Sequence, residues 1–344
     1  MKQCVARFHS SSRQSPAAPH VRCFSAGYRS VAVTGLMAIS CLAGAQDYPS
    51  RPIRLIAMFT PGGGADIYAR LLAKKMSEIF LQQVVVDNRG GANGIIGTEM
   101  VANAAPNGYT VGFVTSALAV NPATRRRLPF DTEKDLAPIS LFTEFPFFVV
   151  THPSFAPQTI PELLTLVRAK PGQVNYGAST PGSALHFAGE MMKLYAKVHI
   201  VYVSYKGAAE ATTATLAGEV PITYQGPTVM SHVRAGRLRV LGVTSGNRSP
   251  AWPDIPSVQE GGVPGYHYTT WHGVVAPRNT PASVVARLNH AVVQVVKDPL
   301  IAKALAADGA ELHGNTPLQF HEFIGHEIKK FRDLVQAMGG LVVD

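Results

Sequence analysis

Arg54-Leu55-Ile56-Ala57-Met58-Phe59 runs straight into Thr60-Pro61-Gly62-Gly63-Gly64-Ala65-Asp66. The first six residues read as a buried strand, because the apolar run is short and does not alternate. The next seven form a glycine-rich turn. From Ile67 to Phe80 apolar residues recur at Ile67, Leu71, Leu72, Met76 and Ile79, which is helical spacing. The scheme then repeats. Val84-Val85-Val86 is a second strand, closed by the turn residues Asn88 to Gly94; Ile95 to Ala104 is a second helix and Tyr109 to Val114 a third strand. This βαβαβ order predicts a mostly parallel sheet with helices on both faces.

The middle of the chain repeats the pattern. Strands are expected at Phe147 to Val150, Asn175 to Gly177, His199 to Val203, Ile222 to Tyr224 and Leu238 to Val243. Helices are expected at Ala184 to Lys197, Ala208 to Ala217 and Val229 to Arg234, with another begun by Thr159-Ile160-Pro161-Glu162 as a capping box. The Pro- and Gly-rich stretch from Ser249 to Gly265 is a connection. Thr280-Pro281 opens a helix to Val296, and Thr316-Pro317-Leu318-Gln319 opens a last helix to about Met338. Leu341-Val342-Val343 reads as a closing strand. Two βα arrays followed by a return to helices predict two lobes, crossed over at Phe145 to Thr151 and Trp271 to Ala276. The expected organisation is a leader over 1–45, a first lobe of 46–147 plus 272–344, and a second lobe of 148–271.

An apolar fraction of 46% over 344 residues is ample for a sizeable core, and a charged fraction of 15% excludes a disordered chain. The net charge of +9 is not a nucleic-acid signal. Five of the 31 basic residues (Lys2, Arg7, Arg13, Arg22 and Arg29) lie in the first 45, which hold no acid. Arg125-Arg126-Arg127 is the one later cluster, and reads as a solvated loop. The basic stretch, the apolar run from Val31 to Ala43 and the small-x-small Ala43-Gly44-Ala45 read as a secretory signal cleaved after Ala45. Cys4, Cys23 and Cys41 all precede that cut, so the mature chain carries no thiol nucleophile or thiolate metal site.

Several strand-to-helix turns carry chemistry. In Pro61 to Asp66 the glycines admit a ligand to the backbone, and the following helix offers unpaired N–H groups to an anion. No Lys-Ser/Thr follows, so this is not a P-loop, and G-x-G-x-x-G is not matched. Ser179-Thr180-Pro181-Gly182-Ser183 holds the same place in the second lobe, three hydroxyls ahead of a helix; an ordinary N-cap explains one of them. Asn88 to Gly94, with Arg89, and Tyr205-Lys206-Gly207 occupy further turns. His321-Glu322 with His326 is not a metal motif, since two His five apart on a helix diverge by about 140°. His186 and Glu190 share a helical face, but two ligands make no site.

As an ordered set these residues resemble the tripartite tricarboxylate transporter substrate-binding family, the Bug receptors. The set runs from Pro61-Gly62-Gly63 with Asp66, through Asn88 to Gly97, Pro106-Asn107-Gly108-Tyr109, Tyr176-Gly177 to His186, Tyr205-Lys206-Gly207, Ala235-Gly236 with Arg237-Leu238-Arg239, and Ser249 to Gly265, to Trp271 with Gly273. It covers essentially the whole mature chain. The resemblance implies a two-lobed periplasmic-binding-protein-like α/β fold closing on a small carboxylate in a cleft between the lobes. It implies a periplasmic monomer that serves integral-membrane transporter subunits and needs no cofactor, metal or nucleic acid. In that family the loop after strand one and the Ser/Thr loop of the second lobe hold carboxylate ends, which here implies Pro61, Gly62, Gly63, Asp66, Ser179, Thr180 and Ser183; Ser116, His186, Tyr205, Lys206 and Gln225 are expected to join them as ligand-binding residues. The family often has Asp around Pro221 to Gln225; here Gln225 is neutral. A sensory receptor docking on a membrane kinase fits the same residues. An exported enzyme fits poorly, because the chain supplies no activated nucleophile.

Overall fold

A computed structural model describes residues 48–62, 64–306 and 309–340. The proposed signal and its cysteines, Gly63 and the Leu341–Val343 strand lie outside the described residues. In chain order the elements are β1 (Ile53–Ala57), α1 (Gly64–Phe80), β2 (Val84–Asn88), α2 (Ile95–Ala102), β3 (Thr110–Thr115), α3 (Ala117–Thr124), β4 (Leu136–Pro146) and β5 (Phe148–Thr151). They continue with α4 (Ile160–Ala169), β6 (Asn175–Ala178), α5 (Ala184–Ala196), β7 (Val201–Ser204), α6 (Ala208–Leu216), β8 (Ile222–Gln225), α7 (Met230–Arg234) and β9 (Arg239–Val243). The chain ends with β10 (Thr269–Pro277), α8 (Ala282–Val296), α9 (Pro299–Ala306), β11 (Glu311–Leu312) and α10 (Pro317–Ala337).

Two α/β sheets flanked by helices result. The first runs β11-β4-β10-β3-β1-β2 and the second β7-β6-β8-β5-β9. Each is parallel where βα units build it: β1 with β2 and β3, β6 with β7 and β8. Each becomes antiparallel where crossing strands enter: β10 against β3 and β4, β5 against β8 and β9. The sheets are therefore mixed. The stretch Trp271 to Ala276, expected to be a crossover, lies inside β10, an interior strand buried along its whole length. The chain passes between sheets at Phe147, from β4 to β5, and again between β9 and β10.

Strand side chains alternate between faces. Leu55 and Ala57 join Leu72, Met76, Leu288 and Val292 under α1 and α8, while Ile56 joins Val101 and Val114 on the other face. Both faces are thus buried, which is why β1 reads as a continuous apolar run. Thr159 Oγ1 caps α4 by accepting from Glu162 N at 3.3 Å, but the Glu162 carboxylate reaches back to Gln158 N at 2.9 Å, one residue beyond the box. The box at Thr316 and Gln319 is complete. At α8 the cap is Pro281; the Thr280 hydroxyl donates instead to Pro277 O at 2.7 Å.

The last helix ties the two sheets together. Trp271 of β10 is fully buried against Phe320 and Phe323 of α10, and its indole N–H donates to Glu327 Oε2 at 3.1 Å. Gly273 lets α10 approach that closely, since a Cβ there would sit 2.2 Å from the Phe320 ring. Further along α10, Phe331 packs on Phe187 of α5 and on Tyr268 before β10, at centroid distances of 5.2 and 6.2 Å. One hydrophobic cluster consequently runs from Val114 through Phe320 and Phe331 to Phe187 and Met191.

Candidate functional site

The carboxyl ends of β1, β3, β6, β7 and β8 feed turns that open helices, and ligands of open α/β sheets bind at such ends. Here the turns of both sheets converge on one cleft of about 330 Å³. From the first sheet it receives Gly64 and Ala65 at the start of α1, and Ser116 and Ala117 at the start of α3. From the second come Ser179 and Ala184 at α5, Ala208 at α6, and Gln225 and Gly226 after β8. Four helix N-termini thus meet in the cleft. The first N–H groups of a helix have no partner within it, and the aligned peptide dipoles place about half a positive charge there.

No Lys, Arg, Asp or Glu lines this cleft among the described residues. His272 does, but it is buried, stacks on Phe113 at 5.2 Å, and shares a 2.9 Å hydrogen bond between its Nδ1 and Thr143 Oγ1. Burial pushes its pKa down to about 3, so the ring is neutral. A second hollow of about 220 Å³, lined by Glu144, Arg248, His267 and Glu311, carries charge but gathers none of the strand-to-helix turns.

Of the twelve residues expected at the site, Ser116, Ser179 and Gln225 line the cleft. Ser116 Oγ is 2.9 Å from Thr270 Oγ1. Ser179 is half-buried, and its carbonyl accepts from the Tyr202 hydroxyl. Gln225 is buried and commits its amide nitrogen to Ala208 O at 3.2 Å and Thr223 Oγ1 at 2.9 Å. The Gln at this position therefore anchors the start of α6, which an Asp cannot do by donating.

The rest of the expected set shapes the turns. Asp66 is buried and accepts from Gly62 N at 3.0 Å, Arg70 Nε at 2.9 Å and Asn88 Nδ2 at 2.9 Å. Burial opposes its ionisation, yet these donors hold its carboxyl below the usual range. It staples the turn, in which Gly62 adopts φ +85°, a backbone open to glycine. Pro61 and Gly62 are exposed at the turn but do not line the cleft. Ser183 is the α5 cap, accepting from His186 N at 3.3 Å, and Thr180 is exposed outside the lining. His186 is buried, with Nδ1 accepting from Gly182 N at 3.1 Å and Nε2 lying 3.6 Å from Glu190 Oε1. Tyr205 packs beside Gly177, and the Lys206 side chain is exposed while its backbone N–H donates to Glu210 at 2.7 Å. Arg89 pairs with Asp87 at 2.9 Å. Neither cation reaches the cleft.

Residues not anticipated complete the lining: Asn93, Thr115, Thr228 and Thr270 supply polar groups, and Ile67, Tyr68, Phe145, Phe147, Leu185 and Pro227 an apolar wall. Asn93 was within reach of sequence reasoning, since it sits in the Asn88 to Gly94 turn. Phe145, Thr270 and His272 were not, because only the pairing of β4 with β10 brings them together.

Fold and cleft together define a periplasmic-binding-protein architecture. The chain belongs to the tripartite tricarboxylate transporter receptor family, TctC, whose pattern it matches over residues 68–340. It is 33% identical to the protein BugT of Bordetella pertussis over 318 residues, covering 90% of this chain and 98% of BugT. Among solved structures it is similar to a periplasmic transporter (36% identity, TM-score 0.78, 86% of this chain and all of that one). It is also similar to Rpa4515 of R. palustris solved with adipate (31%, TM-score 0.80, 86% and all) and to MatC of Rhodopseudomonas palustris with bound malate (27%, TM-score 0.75, 84% and all). The protein is a solute-binding receptor of this family and not an enzyme.

Proposed function

We propose that this receptor captures a small carboxylate between two lobes and delivers it to the integral-membrane subunits of a tripartite transporter. One observation carries the reading: helix N-termini of both sheets meet in a cleft with no charged side chain among the described residues. Partial positive charge on fixed N–H groups suits a carboxylate, and no acid among the described residues lines the cleft to repel it. The adipate and malate held by the two neighbours are carboxylates, in keeping with this. Backbone at Gly64, Ala184 and Ala208 holds the anionic ends, with Ser116, Ser179 and Gln225 as the side chains beside them. Asp66, Ser183 and His186 set the turns in shape, and Lys206 stays in solvent.

In this reading the lobes are 46–147 with 272–344, and 148–271, hinged where the chain crosses between sheets. The leader is removed after Ala45, and the mature monomer works in the periplasm. Calorimetry with adipate, malate and the uncharged diamide of adipic acid tests the central claim. At least one acid binds and the diamide does not. Equal binding of acid and diamide, or no binding by any carboxylate tried, overturns it.

A further inference from the structure

The cleft has a second character besides its helix ends. Ile67, Tyr68, Phe145, Phe147, Leu185 and Pro227 face it from both sheets. Ile67 stands in the first turn of α1 and remains 53% exposed, although it is a large apolar side chain inside a concavity. A single exposed isoleucine on an outer surface needs no explanation. This one belongs to the same lining as the buried rings of Tyr68, Phe145 and Phe147. A ligand seated at the α1 end must cover it. At about 330 Å³ the cleft is at the small end for ligand pockets, roughly 300–1,000 Å³.

From this we infer that the receptor selects an acid whose body is bare hydrocarbon, an aliphatic chain or an aromatic ring, and that Ile67 is a specificity-determining residue. The inference rests on the carboxylate reading given above. Its physical basis is the cost of stripping water from a polar group that finds no new partner. A hydroxyl pressed against Ile67, Phe145 or Leu185 gains no hydrogen bond from those side chains, whereas a methylene or ring edge gains buried apolar contact. The helix ends come from both sheets, α1 and α3 from the first and α5 and α6 from the second, with Ile67 in the first turn of α1 and Leu185 in that of α5. A third carboxylate finds no Lys or Arg in the lining among the described residues.

The test uses acids of equal length and charge. Adipate is compared with galactarate, which adds four hydroxyls to the same chain, and terephthalate with 2,5-dihydroxyterephthalate, by calorimetry on the mature protein. The hydrocarbon member of at least one pair binds more tightly than its hydroxylated partner by about tenfold or more, since a hydroxyl turned to the apolar wall, rather than to Asn93, Thr115, Thr228 or Thr270, loses its hydrogen bonds to water. Ile67→Asn weakens that hydrocarbon acid about tenfold and narrows the gap, with an unchanged melting temperature because the side chain is exposed. Equal binding within both pairs, a preference for the hydroxylated acids, or an Ile67→Asn effect equal on both members overturns the inference and leaves the carboxylate reading standing. If none of the four acids binds while malate does, this inference falls and the carboxylate reading stands; if no carboxylate binds, both fall.

Discussion

The amide nitrogen of Gln225 donates to the carbonyl of Ala208 at 3.2 Å, so the end of β8 and the start of α6 are held together at the cleft wall by a neutral side chain. Gln225→Glu replaces that donor with an acceptor facing a carbonyl and places negative charge in the cleft. Leaving a buried acceptor unsatisfied costs about 1–3 kcal/mol. The variant is expected to melt lower and, through charge repulsion, to bind carboxylate at least 100-fold more weakly at neutral pH. Unchanged affinity in calorimetry would show that Gln225 faces away from the bound anion.

Charge on side chains is not what holds the ligand in our account. Lys206→Ala and Arg89→Ala should each alter affinity less than about threefold, because both cations lie outside the cleft lining. Raising salt from low to about 0.5 M should likewise have little effect on a ligand enclosed by backbone dipoles, whereas exposed ion pairs are strongly screened. Titrations at several ionic strengths decide this; a steep loss with salt sinks it.

Ser183→Ala tests the division between binding and capping. Its hydroxyl accepts from His186 N, so removal costs about 1 kcal/mol of stability, within the usual range for an N-cap. Thr180→Ala, at an exposed position, should be silent. Denaturant midpoints of the two variants, measured without ligand, check the contrast.

Acid should destabilise the protein through two buried histidines. His186 is pushed down to about 4, chiefly by burial and also by Lys193, with Glu190 opposing; His272 is pushed down to about 3 by burial. Each binds fewer protons folded than unfolded. Their contribution is therefore complete above the unfolded pKa near 6.5 and is lost as pH falls toward 4 and below. For His186 the difference is on the order of 3 kcal/mol. Protonation there also requires Nδ1 to release Gly182 N. Urea midpoints between pH 7 and 4 should fall for the wild type and more shallowly for His186→Gln.

Gly273→Ala is predicted to be severe. The added methyl meets the Phe320 ring at 2.2 Å, in a fully buried layer where neither β10 nor α10 can give way cheaply. A loss of about 2 kcal/mol or more is expected, as for overpacked cores. A melting curve followed by Trp fluorescence measures it, since Trp271 stands two residues away.

The sequence made the βα units legible because helical spacing and punctuating glycines and prolines are local signals. Strand β1, helix α1 and the capped α4 and α10 all fall in that class. Strands β4 and β10 were not legible as sheet interiors. Thr269–Pro277 is buried at every position, so it lacks the alternation that marks a half-exposed strand, and its partners lie over a hundred residues away. Helix α3 was hidden by Pro122 inside it. At the site, the turns were identifiable but the direction of each side chain was not. Asp66 and Ser183 sit in the right turns, yet satisfy backbone N–H groups rather than opening to the cleft.

Helix α10 has a mechanical consequence. Its first half is locked to β10 through Trp271 and Phe320, while Phe331 grips Phe187 and Tyr268 on the side of the second sheet. A single stiff rod fastened at both ends behaves as a splint across a joint. Any swing that parts the sheets along that flank must tear aromatic contacts from a buried layer, whereas a swing pivoting about the rod leaves them in place. The cheap degree of freedom is then one rotation, with its axis close to α10. Solutes would enter at the margin furthest from the splint, and a disulfide engineered between α10 and α5 should leave capture intact, while one engineered across the mouth should abolish it.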